Sequence, residues 1–339
     1  MSDTRIAHGG NLHEAARRHG IPHDAWLDLS TGINPAGYPV PPVPADAWRR
    51  LPDDGDGLAA CAARYYGAPD AAHVLPVAGS QAAIRALPAL LSHGGAGVAA
   101  LAYGEYAPAF ARHGHAIEPL DIASDTLPAS LRHVIVGNPN NPTAERVEPG
   151  RLLGWHAQLS ARGGTLIVDE AFADTGASGS LAAHTHRAGL VVLRSVGKFF
   201  GLAGIRAGFV LACPELIATL RDTLGAWTVS GPARHAVAAA FADAPWQAAA
   251  RARLAADGDR LAALLRGHGF HVHATPLFSW TADPRAAALH DALAKHGIWT
   301  RYFAQPSSVR VGLPGCEHEW QRLSDALAQC VPSLRADAR

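Results

Sequence analysis

Lysine is scarce in this chain: of its 29 Lys plus Arg, only Lys198 and Lys295 are lysines. Lys198 lies in Ser195-Val196-Gly197-Lys198-Phe199-Phe200-Gly201, directly after the apolar run Leu190–Leu193. A primary amine can lose its proton when desolvated and attack a carbonyl, which a guanidinium cannot do. Asp169 follows a second apolar run, residues 166–168. A carboxylate at the end of a buried strand is costly unless a cation faces it, such as the protonated nitrogen of a heterocycle. Asn138-Pro139-Asn140-Asn141-Pro142 follows a third run, and its side-chain amides can donate to a phenolate or carbonyl oxygen.

Gly79-Ser80-Gln81 closes a fourth run, Val74–Val77, and opens a helix whose free amides suit a phosphate. Arg206, eight residues past Lys198, suits the same anion. Taken singly, these pieces also read as turns, caps and surface charges. As a set they supply an amine for an aldehyde, an acid for a ring nitrogen, an amide for a ring oxygen and a cup for a phosphate. Pyridoxal 5′-phosphate (PLP) needs that inventory.

The elements that must present these groups are short apolar runs separated by helical stretches. Strands are predicted over 74–77, 97–101, 134–136, 166–168, 190–193 and 209–211, with helices such as 81–91 and 149–162 between them. Strands apolar throughout, alternating with helices, indicate an α/β fold with a mostly parallel sheet covered on both faces. Ligands of such sheets bind beyond the carboxyl ends of the strands, where the chemistry-bearing residues fall. Before this body come a short helix over 12–19 that Asn11 could cap, a brief strand near 26–29 and a proline-dense connector over 35–44. After Gly231-Pro232, helices over 233–242, 246–266, 284–296 and 317–329 and strands near 270–274, 278–281, 299–303 and 309–311 suggest a smaller α+β domain. The expected organisation is an amino-terminal arm, 1–38, packing with the small domain; a large cofactor-binding domain, 39–231; and a small domain, 232–339.

Composition narrows the class. The chain is 48% hydrophobic and 17% charged with net charge +0, which describes a soluble globular protein without the basic surface that nucleic acid or an anionic membrane would require. No apolar segment approaches membrane-spanning length and the amino terminus lacks an apolar h-region. Four scattered cysteines without C-x-x-C suggest a reduced, cytoplasmic protein, and the 19 histidines show no metal-ligand spacing, so no metal is expected.

The order Gly79-Ser80-Gln81, Asn138-Pro-Asn-Asn-Pro142, Asp169-Glu-Ala-Phe172, Ser195-x-x-Lys198 and Arg206 resembles the fold-type I, aspartate-aminotransferase-like PLP enzymes over nearly the whole chain. Within that superfamily the nearest groups are the histidinol-phosphate aminotransferases and the threonine-phosphate decarboxylases of cobalamin biosynthesis. His8-Gly9-Gly10-Asn11, Asp28-Leu-Ser-Thr-Gly-Ile-Asn34-Pro35 and Trp227-x-Val229 are similar to features of the decarboxylase group. The resemblance implies that Lys198 bonds the cofactor aldehyde, Asp169 pairs with the ring nitrogen, Asn141 donates to the ring oxygen and Tyr103 stacks on the ring, with Tyr106 packing beside it. Gly79, Ser80, Gln81, Ser195 and Arg206 would hold the cofactor phosphate. Arg310, in Val309-Arg-Val-Gly-Leu-Pro314, would bind a substrate α-carboxylate. On their own types His8, Asn11, Ser30 and Asn34 suit a second, substrate phosphate, while glycine-flanked His and Asn also form turns. A homodimer is implied.

The pattern departs from the superfamily at three places. Phe172 replaces a frequent tyrosine, which leaves Asn141 as the main donor to the ring oxygen. Ala144 stands for a glycine. Leu51, in Arg50-Leu-Pro52, stands where many relatives have a tyrosine reaching a neighbouring subunit's cofactor phosphate. The expected reaction is decarboxylation of L-threonine O-3-phosphate to (R)-1-amino-2-propanol O-2-phosphate; the alternative is amino transfer from histidinol phosphate or a related amino acid.

Overall fold

The computed structural model describes residues 8–176 and 179–336. Along the chain lie α1 (Leu12–His19), β1 (Leu27–Asp28), α2 (Ala45–Arg49), α3 (Leu58–Tyr66), β2 (Val74–Val77), α4 (Ser80–Leu90), β3 (Gly95–Val98), α5 (Tyr106–Arg112) and β4 (Ala116–Pro119). Then come β5 (Leu131–Gly137), α6 (Pro149–Ser160), β6 (Thr165–Asp169), β7 (Leu190–Ser195), β8 (Gly208–Leu211), α7 (Pro214–Leu224), α8 (Gly231–Ala242) and α9 (Ala244–Gly267). The chain ends with β9 (His273–Thr275), β10 (Phe278–Ala282), α10 (Ala286–Lys295), β11 (Ile298–Trp299), β12 (Arg301–Ala304), β13 (Ser307–Gly312) and α11 (Glu317–Ala336). They form two compact units, one of residues 37–141 and 145–249, the other of 1–36, 142–144 and 250–339.

The larger unit is built on a seven-stranded sheet, order β2-β8-β7-β6-β5-β3-β4. β8 runs antiparallel to both of its neighbours; the other pairings are parallel. β2, β6 and β8 are buried along their whole length, as strands covered on both faces require. Ile84 and Leu87 of α4 and Phe110 of α5 join Ile135, Ile167 and Val191 of the sheet in one core. β4 was not expected from sequence: it is a largely exposed edge strand, and Ala-Ile-Glu-Pro lacks the apolar run that announces its neighbours.

The smaller unit carries an antiparallel sheet, order β12-β13-β10-β9, and a parallel pair, β1 with β11. The strand expected over 299–303 is two strands: β11 pairs with β1, while β12 pairs with β13. The amino-terminal arm is fastened within this unit, where the Gly312 N–H donates to the Leu29 carbonyl at 2.7 Å.

Gly231-Pro232 does not break the chain. The pair opens α8, with Ser230 Oγ accepting from the Ala233 N–H and proline in the first turn, where its missing N–H costs nothing. α8 stays with the larger unit because Phe241 stacks on Tyr65 at 4.3 Å and packs near Phe209. The division of the two units falls within α9, between residues 249 and 250, rather than after 231. Among the described residues no helix is long and apolar enough to cross a membrane, and no group of three or more His, Cys, Asp or Glu could hold a metal ion.

Candidate active site

β2, β3, β5, β6 and β7 end on one edge of the sheet, and residues at or just past their ends help enclose a cavity of about 690 Å³ including its open mouth. Gly79, Ser80, Gln81, Tyr103, Asn141, Asp169, Ser195, Lys198 and Arg206 all line it. The nine come together because they lie at or near strand ends on one edge of the sheet, Arg206 just before the antiparallel β8.

The phosphate-sized corner is made at the start of α4. Gly79 has φ +75, and a Cβ there would lie 2.9 Å from Arg206 Nη2, so glycine is what lets the guanidinium approach this backbone. Gly208 is constrained likewise, with a Cβ position 2.6 Å from the Ser80 N. No side chain caps α4; the Ala82 N–H turns back to the Gly79 carbonyl at 3.1 Å, which leaves the Ser80 and Gln81 N–H groups for an anion beside Ser195 and Arg206.

Asp169 ends β6 and is only 6% exposed. Its Oδ1 accepts from the Ala171 N–H at 3.0 Å and its Oδ2 from Tyr106 Oη at 2.8 Å. Burial pushes its carboxyl above the usual range, opposed by those two hydrogen bonds and by the charge of Lys198. Tyr106, expected only to pack beside Tyr103, is therefore also a hydrogen-bond donor to the acid. Tyr103 packs edge-on to it at 5.5 Å and donates its own hydroxyl to Gln81 Oε1 at 3.0 Å, which fixes the ring over the cavity. Burial, with Glu105 and Asp169 nearby, pushes the Tyr103 phenol up to about 12.

The loop after β5 is pinned so that Asn141 faces the cavity. Asn138 exchanges side-chain hydrogen bonds with the Val147 backbone at 3.0 Å, and Asn140 Nδ2 donates to the Leu101 carbonyl at 2.9 Å. Lys198 Nζ lies over the ring of Phe172, 5.5 Å from its centroid. Next to Asp169 in sequence, Glu170 accepts from Arg194 at 2.5 Å, and Arg194 also donates to Asp174 at 2.6 Å, all three buried. Sequence reasoning missed this cluster, although an arginine inside the apolar run Leu-Val-Val-Leu-Arg was its sign.

These residues fit PLP on their own chemistry. A buried acid with two hydrogen bonds and Lys198 nearby is stabilised further by a cation in the cavity, which a pyridinium nitrogen would supply. A lone amine on the same cavity suits the aldehyde, and the start of α4 with Arg206 suits the phosphate.

The remaining expected residues belong to the smaller unit. Arg310 is 6% exposed; its Nη2 donates to the Ser30 carbonyl at 2.6 Å and its guanidinium lies over Phe278. Arg301 stands opposite it in register on β12, a pairing of like charges that sequence inspection did not register. Burial and Arg301 bring Arg310 down to about 10, with Asp28 opposing. Ser30 is fully buried, accepting from the Gly10 N–H at 2.7 Å and donating to Asp28 Oδ1 at 2.5 Å. A Cβ on Gly9 would lie 2.3 Å from the Ser30 carbonyl oxygen, and Gly10 takes φ +84, so each position calls for glycine for its own reason. Asn34 is buried and accepts from the Ala36 N–H and from Arg253, both at 3.0 Å. Asn11 is spent on α1: its Oδ1 accepts from the Glu14 N–H and its Nδ2 donates to the Glu14 carboxylate. His8 is exposed.

The sheet order, the helix cover and the strand-end cavity define a fold-type I PLP-dependent enzyme. The chain belongs to the family described as aminotransferase class I and II, whose model matches residues 56–327. Among its relatives, a threonine-phosphate decarboxylase of Pseudomonas aeruginosa is 51% identical over 95% of this chain and 97% of its own. A threonine-phosphate decarboxylase of a Sinorhizobium species is 42% identical over 96% of this chain and 98% of its own. The solved structure of the Sinorhizobium meliloti histidinol-phosphate aminotransferase in complex with pyridoxal-5′-phosphate matches with a TM-score of 0.82 at 20% identity, covering 98% of this chain and 100% of that one. At that identity the likeness speaks for the fold.

Proposed function

We propose that this chain decarboxylates L-threonine O-3-phosphate to (R)-1-amino-2-propanol O-2-phosphate, with PLP as its cofactor, in cobalamin biosynthesis. The observation that carries the reaction is the 51% identity to a threonine-phosphate decarboxylase over 95% of the chain. The cavity supports the cofactor and the paired arginines support a substrate with two anionic groups.

Bound in the cavity, PLP supplies an electron sink conjugated to the substrate Cα. Lys198, on the cavity wall, would hold the cofactor through its aldehyde and would give up that place to the substrate amine. Asp169, kept in place by Tyr106 and the Ala171 N–H, holds a proton on the ring nitrogen. Asn141 donates to the ring oxygen, Tyr103 covers a ring face, and Gly79, Ser80, Gln81, Ser195 and Arg206 hold the phosphate. Arg310 binds the α-carboxylate and Arg301 adds a second positive charge on the same sheet. His8 remains the candidate contact for the substrate phosphate. Asn11 and Asn34 act one step back, through α1 and through the turn at 34–36. Lys198 is the proton donor to Cα once the carboxylate has left.

A homodimer in the cytoplasm completes the reading. The exposed apolar side chains Trp48, Leu51 and Trp227 of the larger unit suit a face covered by a second copy. Leu51 offers such a neighbour no hydrogen bond.

The test is CO2 release from O-phosphothreonine by the PLP-loaded protein, with and without 2-oxoglutarate. Release that needs no keto acid is the expected result. Amino transfer from histidinol phosphate that depends on the keto acid, without CO2, would replace this reading with the aminotransferase one.

A further inference from the structure

Phe172 follows Asp169 by three residues and is 5% exposed, its ring forming part of the cavity wall under Lys198. The 5.5 Å between Nζ and the ring centroid is within the roughly 6 Å over which the negative face of a benzene ring attracts an ammonium. The other charged or titratable groups lining this cavity are Asp169 at the end of β6, Tyr106 on α5, Tyr103 just before it and Arg206 beyond β7. Asp169 attracts an ammonium at Lys198 and Arg206 repels one. In the loaded protein both have other work, on the ring nitrogen and the phosphate. The Phe172 ring adds an attraction for the amine that neither of those roles removes. It favours the cation and has no atom that could take the proton from it.

Building on the decarboxylase reading, we infer that Phe172 is a positioning residue that holds Lys198 as an ammonium after the substrate amine has displaced it, and so favours decarboxylation over amino transfer. The two reactions need opposite protonation states of one amine. In decarboxylation the bond from Cα to the carboxylate breaks and CO2 leaves. Its electron pair stays at Cα, conjugated with the cofactor, and one proton passes from Nζ to Cα. Lys198, now neutral, regains a proton from solvent, so each turnover consumes one. Amino transfer begins the other way, with a neutral amine removing the Cα proton. An ammonium has no lone pair for that step.

Lys295, the other lysine of the chain, is exposed and serves as an internal standard. The cofactor-free protein is acylated with a small anhydride across a pH series, and each lysine is followed by peptide mass spectrometry. Phe172→Leu and Phe172→Met remove the ring face and keep apolar bulk. Each should lower the Lys198 labelling midpoint by about half to one pH unit. Phe172→Tyr keeps a ring face and should stay nearer the parent protein. In the loaded protein, the Leu and Met variants should convert the cofactor to its amine form severalfold more often per CO2 released from O-phosphothreonine, read by absorbance in single turnovers. An unmoved midpoint in both variants overturns the proposal. A lowered midpoint with an unmoved partition overturns the selecting role. Absence of CO2 from the parent protein sinks the decarboxylase reading and the selecting role with it, while the labelling still reports on the contact itself.

Discussion

Tyr106 Oη donates to Asp169 Oδ2 at 2.8 Å, joining the first turn of α5 to the end of β6 across 63 positions of sequence. Both groups are buried, and the bond lowers the cost of the charge on Asp169 while burial raises it. The hydroxyl thus supports the acid that we propose pairs with the cofactor nitrogen.

Tyr106→Phe removes that donor and keeps the ring. A hydrogen bond to a charged group contributes roughly 1.5–3 kcal/mol, so kcat should fall about tenfold or more with KM little changed. Steady-state kinetics with O-phosphothreonine checks this. An unchanged kcat would assign Tyr106 to packing alone.

Gly79→Ala places a methyl group at φ +75 and 2.9 Å from Arg206 Nη2. The backbone conformation costs about 1 kcal/mol and the guanidinium must move. Cofactor affinity should weaken by about tenfold or more while thermal stability of the cofactor-free protein drops by only a few degrees. Equilibrium dialysis of PLP and thermal unfolding separate the two effects.

Arg194→Met leaves Glu170 and Asp174 buried without their shared cation. Removing one partner of a buried ionic cluster costs about 3–5 kcal/mol. Adding Glu170→Gln and Asp174→Asn should recover part of the loss. Denaturant unfolding of the single and triple variants measures it.

His290 should make the folding of the chain sensitive to acid. Burial brings its imidazole down to about 4, and its Nδ1 lies 2.8 Å from Thr300 Oγ1. In the unfolded chain the same group takes a proton at about 6.5. Folding stability is therefore intact above pH 6.5 and declines as pH falls from there toward 4, by at most about 3 kcal/mol. His290→Gln should flatten this part of the profile. Unfolding free energies at pH 7.5 and pH 4.5 for the two proteins decide it.

Much of the larger unit was legible in sequence because parallel strands covered on both faces must be apolar along their length. Val74–Val77 coincides with β2, and the residues that end β5, β6 and β7 are those whose types suggested chemistry. α1 was equally plain, since Asn11 and the spacing after it mark a helix start, and the Asn11 cap is present. Edge strand β4 and the break between β11 and β12 were not, because neither is set by an apolar run. Gly231-Pro232 looked like a boundary, yet a proline in the first turn is compatible with a helix, and packing against Tyr65 and Phe209 decided the matter.

By itself the sequence determined which groups are available: one amine, one strand-end acid, a glycine-opened helix and an arginine eight residues past the lysine. These are properties of residue type and order. Tertiary structure alone decided which of them meet. Tyr106 reaches Asp169 because α5 and β6 are brought together in the fold, Arg301 faces Arg310 because two strands take a particular register, and Asn11 is turned inward to its own helix. Such pairings depend on distances between segments far apart along the chain, and no local pattern encodes those distances.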